Sequence, residues 1–404
     1  MTILDKWDKS VPIEVSSYVE VDNIEVLNES NFKLDTNKPV MIDLFSGAGG
    51  FSVGCGWVGF QSVLANDYFE PALKTWLHNH PNSLGILGDI RQIDENFIDN
   101  LLKKHGVRDI DLITGGVPCQ GFSRANRKHD DEDVRNYLFL DYMRMVGKLN
   151  PKCIILENVS GMKTTANGKY VDEILSSMRE LGYNSDVKLL NAADFGVPQV
   201  RQRLIFVGIR SDLNVSKFEY PKPQYISEKD NNSLISNDME IYRTVKDAIS
   251  DLPALESHEK SDEYVINPEN EYQKLMRGLD NRLENRPCYI LSNHVAPKHD
   301  AATIERIKNT EPGKPMYDRF KQRIRLSYSN PSPTQLAGGI RPQFQFGHPT
   351  QNRGLTIRER ARIQSFPDSY VFCGGTVQER VQTGNAVPPL LVYNIAKELI
   401  KIIG

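Results

Sequence analysis

The stretch PVMIDLFSGAGG, residues 39–50, decides the fold. Its first seven residues form a short apolar run that is typical of a buried β-strand. A glycine-rich turn follows, and then a helical stretch to about residue 59. Glycines here let the backbone approach a ligand at the carboxyl end of a sheet, although a simple tight connection is an equal alternative. The stretch is neither a complete GxGxxG pattern nor a GxxxxGK[ST] loop, so a triphosphate cradle is not expected.

Strands and helices continue to alternate along the chain. Further strands are predicted near 61–66, 85–90, 111–115, 153–157, 186–191 and 203–209. Helices are predicted from residue 71 and near 94–104, 137–149 and 171–181. This alternation predicts an α/β fold in which helices cover a mainly parallel sheet. No clear helix separates the last two strands, which indicates an antiparallel strand at the edge.

The composition is that of an ordinary globular chain. The 404 residues are 39% hydrophobic, and a length of this size predicts two or three domains. A net charge of -3 argues against uniform coating of nucleic acid, so phosphate binding requires a local patch. The five cysteines form no CxxC pair, which argues against a disulfide framework or a structural zinc site and favours an intracellular protein. Neither a membrane-spanning apolar run nor a secretory signal is recognisable.

The alternation stops after about residue 221, and the charge pattern changes. Residues 231–280 carry eleven acidic and five basic residues, whereas residues 281–360 carry fourteen basic and six acidic residues. A solvated surface would also explain this pattern. We predict an N-terminal extension at 1–38, a first domain at 39–220 that is completed by 375–404, and a second, irregular domain with a basic face at 221–374.

Several polar residues lie where predicted strands end. Asp67 could accept hydrogen bonds from ribose hydroxyls, and Asp89 could bind an adenine amino group. Each acid alone is more often a loop or cap residue, but together they favour a site for an adenosine-containing cofactor. Glu157 follows an apolar run, which can raise the pKa of a carboxyl group and make it a proton donor; a helix cap is the alternative.

Two further groups could react with or bind a ligand. Cys119 lies in GVPCQGFS after a predicted strand, where a thiol is accessible; without other evidence it would be a structural thiol. Arg201 and Arg203 alternate in QVRQR, so both are expected to point to one face and to meet an oxygen-rich ligand together. A solvated edge strand is the alternative.

Taken in order, these blocks resemble the DNA cytosine-5 methyltransferase family. The blocks that match are DLFSGAGG (43–50), GVPCQGFS (116–123), ENV (157–159), QVRQR (199–203), RGLTIRERARIQSFPDSY (353–370) and QTGNAVPP (382–389). They span most of residues 38–404 apart from the variable middle. The resemblance implies a Rossmann-like sheet of the S-adenosylmethionine-dependent methyltransferases, with a smaller irregular target-recognition domain at 221–374.

The resemblance also implies the catalytic groups. Cys119 would attack carbon 6 of cytosine, which turns carbon 5 into a nucleophile. Glu157 would contact ring nitrogen 3 and supply a proton. Arg203 would hold the O2 atom of the base and orient the glutamate, with Arg201 in support. No metal is required.

By the same resemblance, S-adenosyl-L-methionine is the cofactor. Asp67 would bind the ribose, although the family usually has the longer glutamate there. The residues expected around the cofactor are Phe45, Gly47, Gly49, Asp67, Tyr68, Asp89, Ile90, Pro118, Leu138, Asn385 and Val387.

The substrate implied by the resemblance is double-stranded DNA. The target base must be flipped out of the duplex, and a loop at 120–136 would close over it. Ser123 and Arg135 would contact phosphates. In the target-recognition domain the best phosphate or base contacts are predicted to be Arg319, Lys321, Arg323 and Arg325.

The predicted function is sequence-specific cytosine C5 methylation that protects host DNA in a bacterial restriction-modification system. One alternative is a tRNA cytosine-5 methyltransferase of the same fold, which usually has a second proline where this chain has Val117 before Pro118. Another is a catalytically inactive DNA-binding regulator. We expect a monomer on DNA in the cytoplasm, associated with the nucleoid and not with a membrane. A cognate restriction endonuclease could share the system without binding directly.

Overall fold

A computed structural model describes residues 24–118, 138–231, 239–337 and 345–404 of the chain. It divides the chain into two compact units. The first comprises Met1–Leu190, Gln202–Pro221 and Asn394–Gly404, and the second comprises Asn191–Arg201 and Lys222–Tyr393, in each case as far as they are described.

Within the described residues, eight strands form the sheet of the first unit. In chain order they are β1 (Glu25–Leu27), β2 (Val40–Leu44), β3 (Gln61–Asp67), β4 (Leu84–Leu87), β5 (Leu112–Gly115), β6 (Cys153–Val159), β7 (Tyr183–Asn191) and β8 (Gln202–Arg210). Their order across the sheet is β1-β4-β3-β2-β5-β6-β8-β7. The central run from β4 to β6 is parallel, whereas β1 and β8 are antiparallel to their neighbours β4 and β6. The predicted α/β fold with antiparallel pairing towards an edge is thus confirmed.

Five helices connect the strands of the first unit. They are α1 (Gly50–Gly56), α2 (Glu70–Asn79), α3 (Glu95–Lys104), α4 (Leu138–Leu149) and α5 (Lys169–Glu180) among the described residues. Pro71 lies in the first turn of α2, where its missing N–H costs nothing. The strands β2 to β6 and β8 are largely buried because their apolar runs pack against these helices, as in α/β proteins generally.

The segment expected to be an N-terminal extension contributes β1 to the sheet. Its backbone pairs with β4, with Val26 opposite Ile86. A strand of three residues, one of them polar, is too short to show a periodicity that sequence analysis could detect.

Tyr142 of α4 joins the two central strands that lead to the predicted catalytic blocks. Its buried hydroxyl lies 2.9 Å from the carbonyl oxygen of Ile113 in β5 and 3.0 Å from that of Ile155 in β6. Its ring packs directly on Gly115, where an added Cβ would lie 2.7 Å from a ring carbon. A glycine is therefore required at the end of β5.

The second unit has short elements, as its composition predicts. Its helices are α6 (Val245–Ile249), α7 (Glu271–Met276), α8 (Ala301–Asn309), α9 (Ile357–Ile363) and α10 (Thr376–Asn385), and α11 (Pro389–Ile403) begins there and ends in the first unit. Its strands are the pairs β9 (Tyr225–Ile226) with β10 (Glu240–Ile241) and β11 (Ile324–Arg325) with β12 (Phe346–Gly347).

Buried ion pairs hold the interior of the second unit. The fully buried Arg362 contacts Asp251 at 3.0 Å and Asp368 at 2.5 Å, and Arg353 contacts Glu359 at 2.6 Å. The carboxylates neutralise the arginines, since an unpaired buried charge would be strongly destabilising. These arginines are structural and supply no basic surface.

The segment 375–393, expected to complete the first domain, falls in the second unit. The physical reason is a close approach of backbones. A Cβ on Gly384 would lie 2.4 Å from the Cα of Ala337, so this part of the chain packs tightly on residues 336–337. The C-terminal completion of the first unit is Asn394–Gly404. Among the described helices, none is long and apolar enough to cross a bilayer.

The packing of Tyr142 on Gly115 generates a testable prediction. Gly115→Ala should lower the free energy of unfolding by about 1–3 kcal/mol, because the ring and the strand leave no room for a methyl group. The matched control is Gly56→Ala at the end of α1, where no atom lies within 4 Å of the added Cβ. Urea unfolding of both variants measures the effect, and equal stability of the two would contradict this packing.

Candidate functional site

The glycine-rich turn after β2 has a strained backbone. Phe45 has φ of 52°, in the left-handed region that non-glycine residues rarely adopt, and Gly47 and Gly49 have φ of 52° and 86°. The hydroxyl of Ser46 is buried and has no hydrogen-bond partner among the described residues. Strained backbone and an unsatisfied buried hydroxyl are typical of a binding site whose ligand supplies the missing contacts.

Asp67, at the end of β3, is tied to this turn. Its carboxylate accepts a hydrogen bond from the backbone N–H of Gly47 at 2.7 Å and another from that of Phe69 at 2.8 Å. Burial raises the pKa of Asp67 to about 6. The half-buried Tyr68 follows it. Two backbone donors leave lone pairs on this carboxylate for a further donor.

Asp89, after β4, caps a short 3-10 turn at Ile90–Gln92. Its Oδ1 accepts a hydrogen bond from the backbone N–H of Arg91 at 3.0 Å, and its carboxylate also pairs with the Arg91 guanidinium. Ile90 is buried. The carboxyl ends of β2, β3 and β4, which are neighbours in the sheet, thus carry the glycine turn and both predicted acids.

Asp43 is a buried acid beside this site to which sequence analysis assigned no role. Ser52 Oγ donates to its Oδ2 at 2.7 Å, and Thr114 Oγ1 donates to its Oδ1 at 2.8 Å. Ser52 in turn accepts a hydrogen bond from the Trp76 indole at 2.8 Å. Burial raises the pKa of Asp43 to about 7 despite these donors. The network joins α1, β2 and β5 below the glycine turn.

Glu157 and Arg203 form an ion pair at the rim of the sheet. The Arg203 Nε lies 2.6 Å from Glu157 Oε1, and both side chains are about nine-tenths buried. Arg203 lies opposite Val159 in the β6–β8 ladder. Glu157 is two residues from Val159 and therefore on the same face, so the two side chains are diagonal neighbours.

The predicted nucleophile block begins beside this pair. A Cβ on Gly116 would lie 3.9 Å from Glu157 Oε2 and 3.8 Å from the carbonyl oxygen of Phe45. Asn158 donates from its side chain to the carbonyl oxygen of Val117 at 3.3 Å. The first residues of the block therefore run between the glutamate and the glycine turn.

Three of the predicted site residues, Cys119, Ser123 and Arg135, lie outside the described residues. Their neighbours are described on both sides. Pro118 is half-buried, and Leu138 is buried at the start of α4.

Arg201 lies just before β8 and not within it. It belongs to the second unit, whereas Arg203 belongs to the first. Its buried guanidinium donates to the carbonyl oxygens of Gln335 at 3.1 Å, Gly384 at 3.1 Å and Asn385 at 3.3 Å. The expectation that alternation points both arginines to one face does not hold, because β8 begins only at Gln202 and strand alternation does not apply to Arg201.

The second unit holds the remaining predicted cofactor residues. Asn385 is exposed and Val387 is buried, on either side of the end of α10. Arg201 donates to the Asn385 carbonyl and so ties this block to QVRQR.

The four basic candidates near β11 differ in exposure. Arg319 and Lys321 are exposed, whereas Arg323 is 1% and Arg325 is 8% exposed. The Arg325 guanidinium donates to carbonyl oxygens at the end of α8, among them that of Ile307 at 3.0 Å. Arg323 stacks on the rings of Tyr317 and Phe320. Burial and these contacts make Arg323 and Arg325 structural, which corrects their expected role, and leave Arg319 and Lys321 as candidates.

Sequence analysis missed Ser46, Asp43 and Asn158. Ser46 and Asn158 lie inside blocks that were identified, directly after Phe45 and Glu157. A polar residue beside a predicted ligand contact was the available signal. The signal for Asp43 was a single acid inside an otherwise apolar strand, since such a residue is buried and needs partners.

Burial of Asp43 makes stability depend on pH. A carboxyl group whose pKa rises from 3.8 to about 7 on folding binds a proton more readily in the folded chain. The unfolded chain loses this proton near pH 4 and the folded chain keeps it until about 7, so stability falls as the pH rises between these values and levels off above about 7. The wild type should lose free energy of unfolding between pH 5 and pH 8. Because Asn cannot ionise, Asp43→Asn should make this loss smaller by about 2 kcal/mol. Urea unfolding of both proteins at the two pH values measures this, and parallel pH profiles would contradict it.

Comparisons with known proteins identify the family of the chain. Residues 40–401 match the family model for the C-5 cytosine-specific DNA methylase. The chain is 36% identical to Type II methyltransferase M.DdeI of Desulfomicrobium norvegicum over 389 residues, with 89% of this chain and 88% of the relative covered. It is 33% identical to Type II methyltransferase M1.HphI of Haemophilus parahaemolyticus, with 89% of this chain and 86% of the relative covered.

Solved structures show the same fold. An E. coli prophage-encoded protein described as a DNA modification methyltransferase aligns with a TM-score of 0.70 and 28% identity, over 90% of this chain and 99% of its own. The Dnmt2 methyltransferase of S. pombe aligns with a TM-score of 0.56 at 18% identity, with the same shares of the two chains covered. At that identity the likeness concerns the fold alone.

Proposed function

Because the chain belongs to the C-5 cytosine-specific DNA methylase family, we propose that it methylates carbon 5 of cytosine within a specific sequence of double-stranded DNA. The observation that carries this proposal is the Glu157–Arg203 ion pair beside the nucleophile block. Negative charge enters the cytosine ring when a nucleophile adds to carbon 6. A carboxyl group that is held by a guanidinium and donates a proton to the ring would stabilise that charge.

The proposed reaction begins with the Cys119 thiolate. Its sulfur adds to carbon 6 of the cytosine, and the electron pair of the 5,6 double bond is pushed towards ring nitrogen 3, which takes a proton from Glu157. Arg203 holds the Glu157 carboxylate and donates to the O2 atom of the base. Carbon 5 would then take the methyl group and give its proton to a base such as solvent water. The electron pair of that C–H bond re-forms the 5,6 double bond as the bond between carbon 6 and sulfur breaks, so the Cys119 thiolate is regenerated and ring nitrogen 3 returns its proton to Glu157. Arg201 supports this arrangement by positioning the chain that leads into β8.

The methyl group is supplied by S-adenosyl-L-methionine. The strained turn and the unsatisfied Ser46 hydroxyl fit a ligand at the ends of β2 to β4. Asp67 would bind the ribose and Asp89 the adenine amino group. The residues of the first unit that would surround the rest of the cofactor are Phe45, Gly47, Gly49, Tyr68, Ile90, Pro118 and Leu138. Asn385 and Val387 stay predicted cofactor contacts.

The target base is inaccessible in a stacked duplex, so the proposal includes base flipping. Ser123 and Arg135 are proposed phosphate contacts in the segment after Cys119. The second unit is the proposed target-recognition domain, with Arg319 and Lys321 on the DNA backbone.

We further propose that methylation protects host DNA in a bacterial restriction-modification system. Similarity to several Type II methyltransferases supports this role. The protein would act as a monomer on DNA in the cytoplasm, and a cognate endonuclease would read the same sequence independently.

The central test follows methyl transfer from labelled S-adenosylmethionine to DNA and to tRNA. We expect label in DNA only, and a loss of at least about 1,000-fold in Cys119→Ser, because a hydroxyl is a much weaker nucleophile than a thiolate. Cys288→Ser, a half-buried cysteine of the second unit, is the matched control and should keep its activity. Label in tRNA with unlabelled DNA, or full activity of Cys119→Ser, would exclude the proposal.

The proposed contacts of Arg319 and Lys321 with DNA phosphates are tested by salt titration. Removing Arg319 and Lys321 together should weaken binding at low salt and make the slope of log affinity against log salt shallower by about two, roughly one for each phosphate contact. Arg179→Ala, an exposed arginine on α5, should leave the slope unchanged. An unaltered slope in the double variant would place the phosphate contacts elsewhere.

A further inference from the structure

Arg144, on α4, is a nearly buried arginine that no step of the proposed reaction uses. Its Nη1 donates to the carbonyl oxygen of Ile93 at 2.9 Å, and its Nη2 donates to that of Ile90 at 2.8 Å. These two carbonyls bracket the 3-10 turn that Asp89 caps. One guanidinium thus holds both ends of the turn expected to bind adenine.

Inside the turn, the Gln92 N–H donates to the Asp89 carbonyl oxygen at 2.9 Å, and the Ile93 N–H reaches the Ile90 carbonyl oxygen at 3.3 Å, which is a long hydrogen bond. Ile90 and Ile93 are also buried in the core. Asp89 accepts from the backbone N–H of Arg91, so its carboxylate follows the turn when the turn moves. The two hydrogen bonds from Arg144 add the side-chain contacts that fix this turn to α4, and with it the backbone that carries Asp89.

The Arg144 side chain is itself fixed by two acids. Asp141, which is fully buried, lies 3.1 Å from Nη2, and Glu95 at the start of α3 lies 2.5 Å from Nη1. The planar guanidinium can satisfy two carbonyls and two carboxylates at once, which a lysine cannot do. An arginine at this position therefore links α4 to both the turn and α3.

We infer that Arg144 is a positioning residue that gives the cofactor site its selectivity for adenine. Its guanidinium contacts carbonyl oxygens and carboxylates of the protein, so its effect on the cofactor would be indirect. It holds the Ile90–Gln92 turn so that Asp89 presents a carboxylate oxygen to the exocyclic amino group of adenine. This inference rests on the proposed function, because it assumes that Asp89 binds the adenine of S-adenosylmethionine.

The choice of variant matters because an unpaired Asp141 would destabilise the fold. Arg144→Lys keeps a positive charge beside Asp141 and Glu95. It cannot donate to the carbonyl oxygens of Ile90 and Ile93 at the same time as it pairs with these acids. The matched control is Arg210→Lys. Arg210 also pairs with a carboxylate, that of Asp212, and donates to a carbonyl, that of Asn150, but it lies outside the cofactor site.

The experiment compares the binding of S-adenosylhomocysteine with that of S-inosylhomocysteine, which carries an oxygen in place of the adenine amino group. The wild type and Arg210→Lys should prefer the adenosine compound by about tenfold or more, as expected for a hydrogen bond to a charged acceptor. Arg144→Lys should reduce this preference to less than about threefold. It should also raise KM for S-adenosylmethionine about tenfold while kcat at saturating cofactor stays within about twofold.

A merely structural role would lower Tm and weaken both compounds equally. An unchanged preference in Arg144→Lys would therefore overturn the inference, whatever happens to Tm. Absence of any preference in a wild type that methylates DNA would also overturn it and leave the proposed function intact. Failure of the proposed function has a separate signature, the absence of methyl transfer to DNA by the wild type.

Discussion

The reversed direction of β8 is the constraint on which the site depends. β8 runs antiparallel to β6, so the first residues of β8 lie beside the last residues of β6. Arg203 therefore meets Glu157 at the rim where the parallel strands end. A parallel strand in the same place would carry its first residues to the opposite end of the sheet, away from the glycine turn. The ion pair is thus a consequence of topology as much as of residue type.

The first unit also carries buried acids that do not favour folding. Asp43 and Asp67 lie at the ends of adjacent strands, and burial raises the pKa of each well above that of an exposed aspartate. Hydroxyl and backbone donors offset only part of this desolvation. Acids in such places are typical of a binding site, where a ligand later supplies hydrogen bonds that water cannot. The strained Phe45 backbone belongs to the same pattern.

Local signals made most of the sheet predictable. Each strand predicted between residues 39 and 209 is present, with bounds within a few residues. The parallel strands β2 to β6 were the clearest, because buried parallel strands have continuous apolar sequences. Asp67, Asp89 and Glu157 were identifiable because they end such runs. The strand β1 was not, since its three residues carry no pattern.

Contacts between distant residues were beyond sequence reasoning. Arg201 and Arg203 alternate in sequence, yet one binds backbone carbonyls from 335 to 385 and the other binds Glu157. Arg325 looks like a surface cation but ends a helix by binding its carbonyls. In each case the partner, and not the local pattern, decides the role of the arginine.

The most direct measurement of the central claim is covalent trapping on fluorinated DNA. The duplex carries 5-fluorocytosine at the recognised position, where fluorine replaces the proton on carbon 5. Because fluorine cannot leave as that proton does, the reaction should stop while the protein is still joined to the base. Given S-adenosylmethionine, we predict a denaturation-resistant conjugate whose mass spectrum assigns the methylated base to the peptide that contains Cys119. A protein that methylates the ordinary duplex but yields no such conjugate would contradict the account.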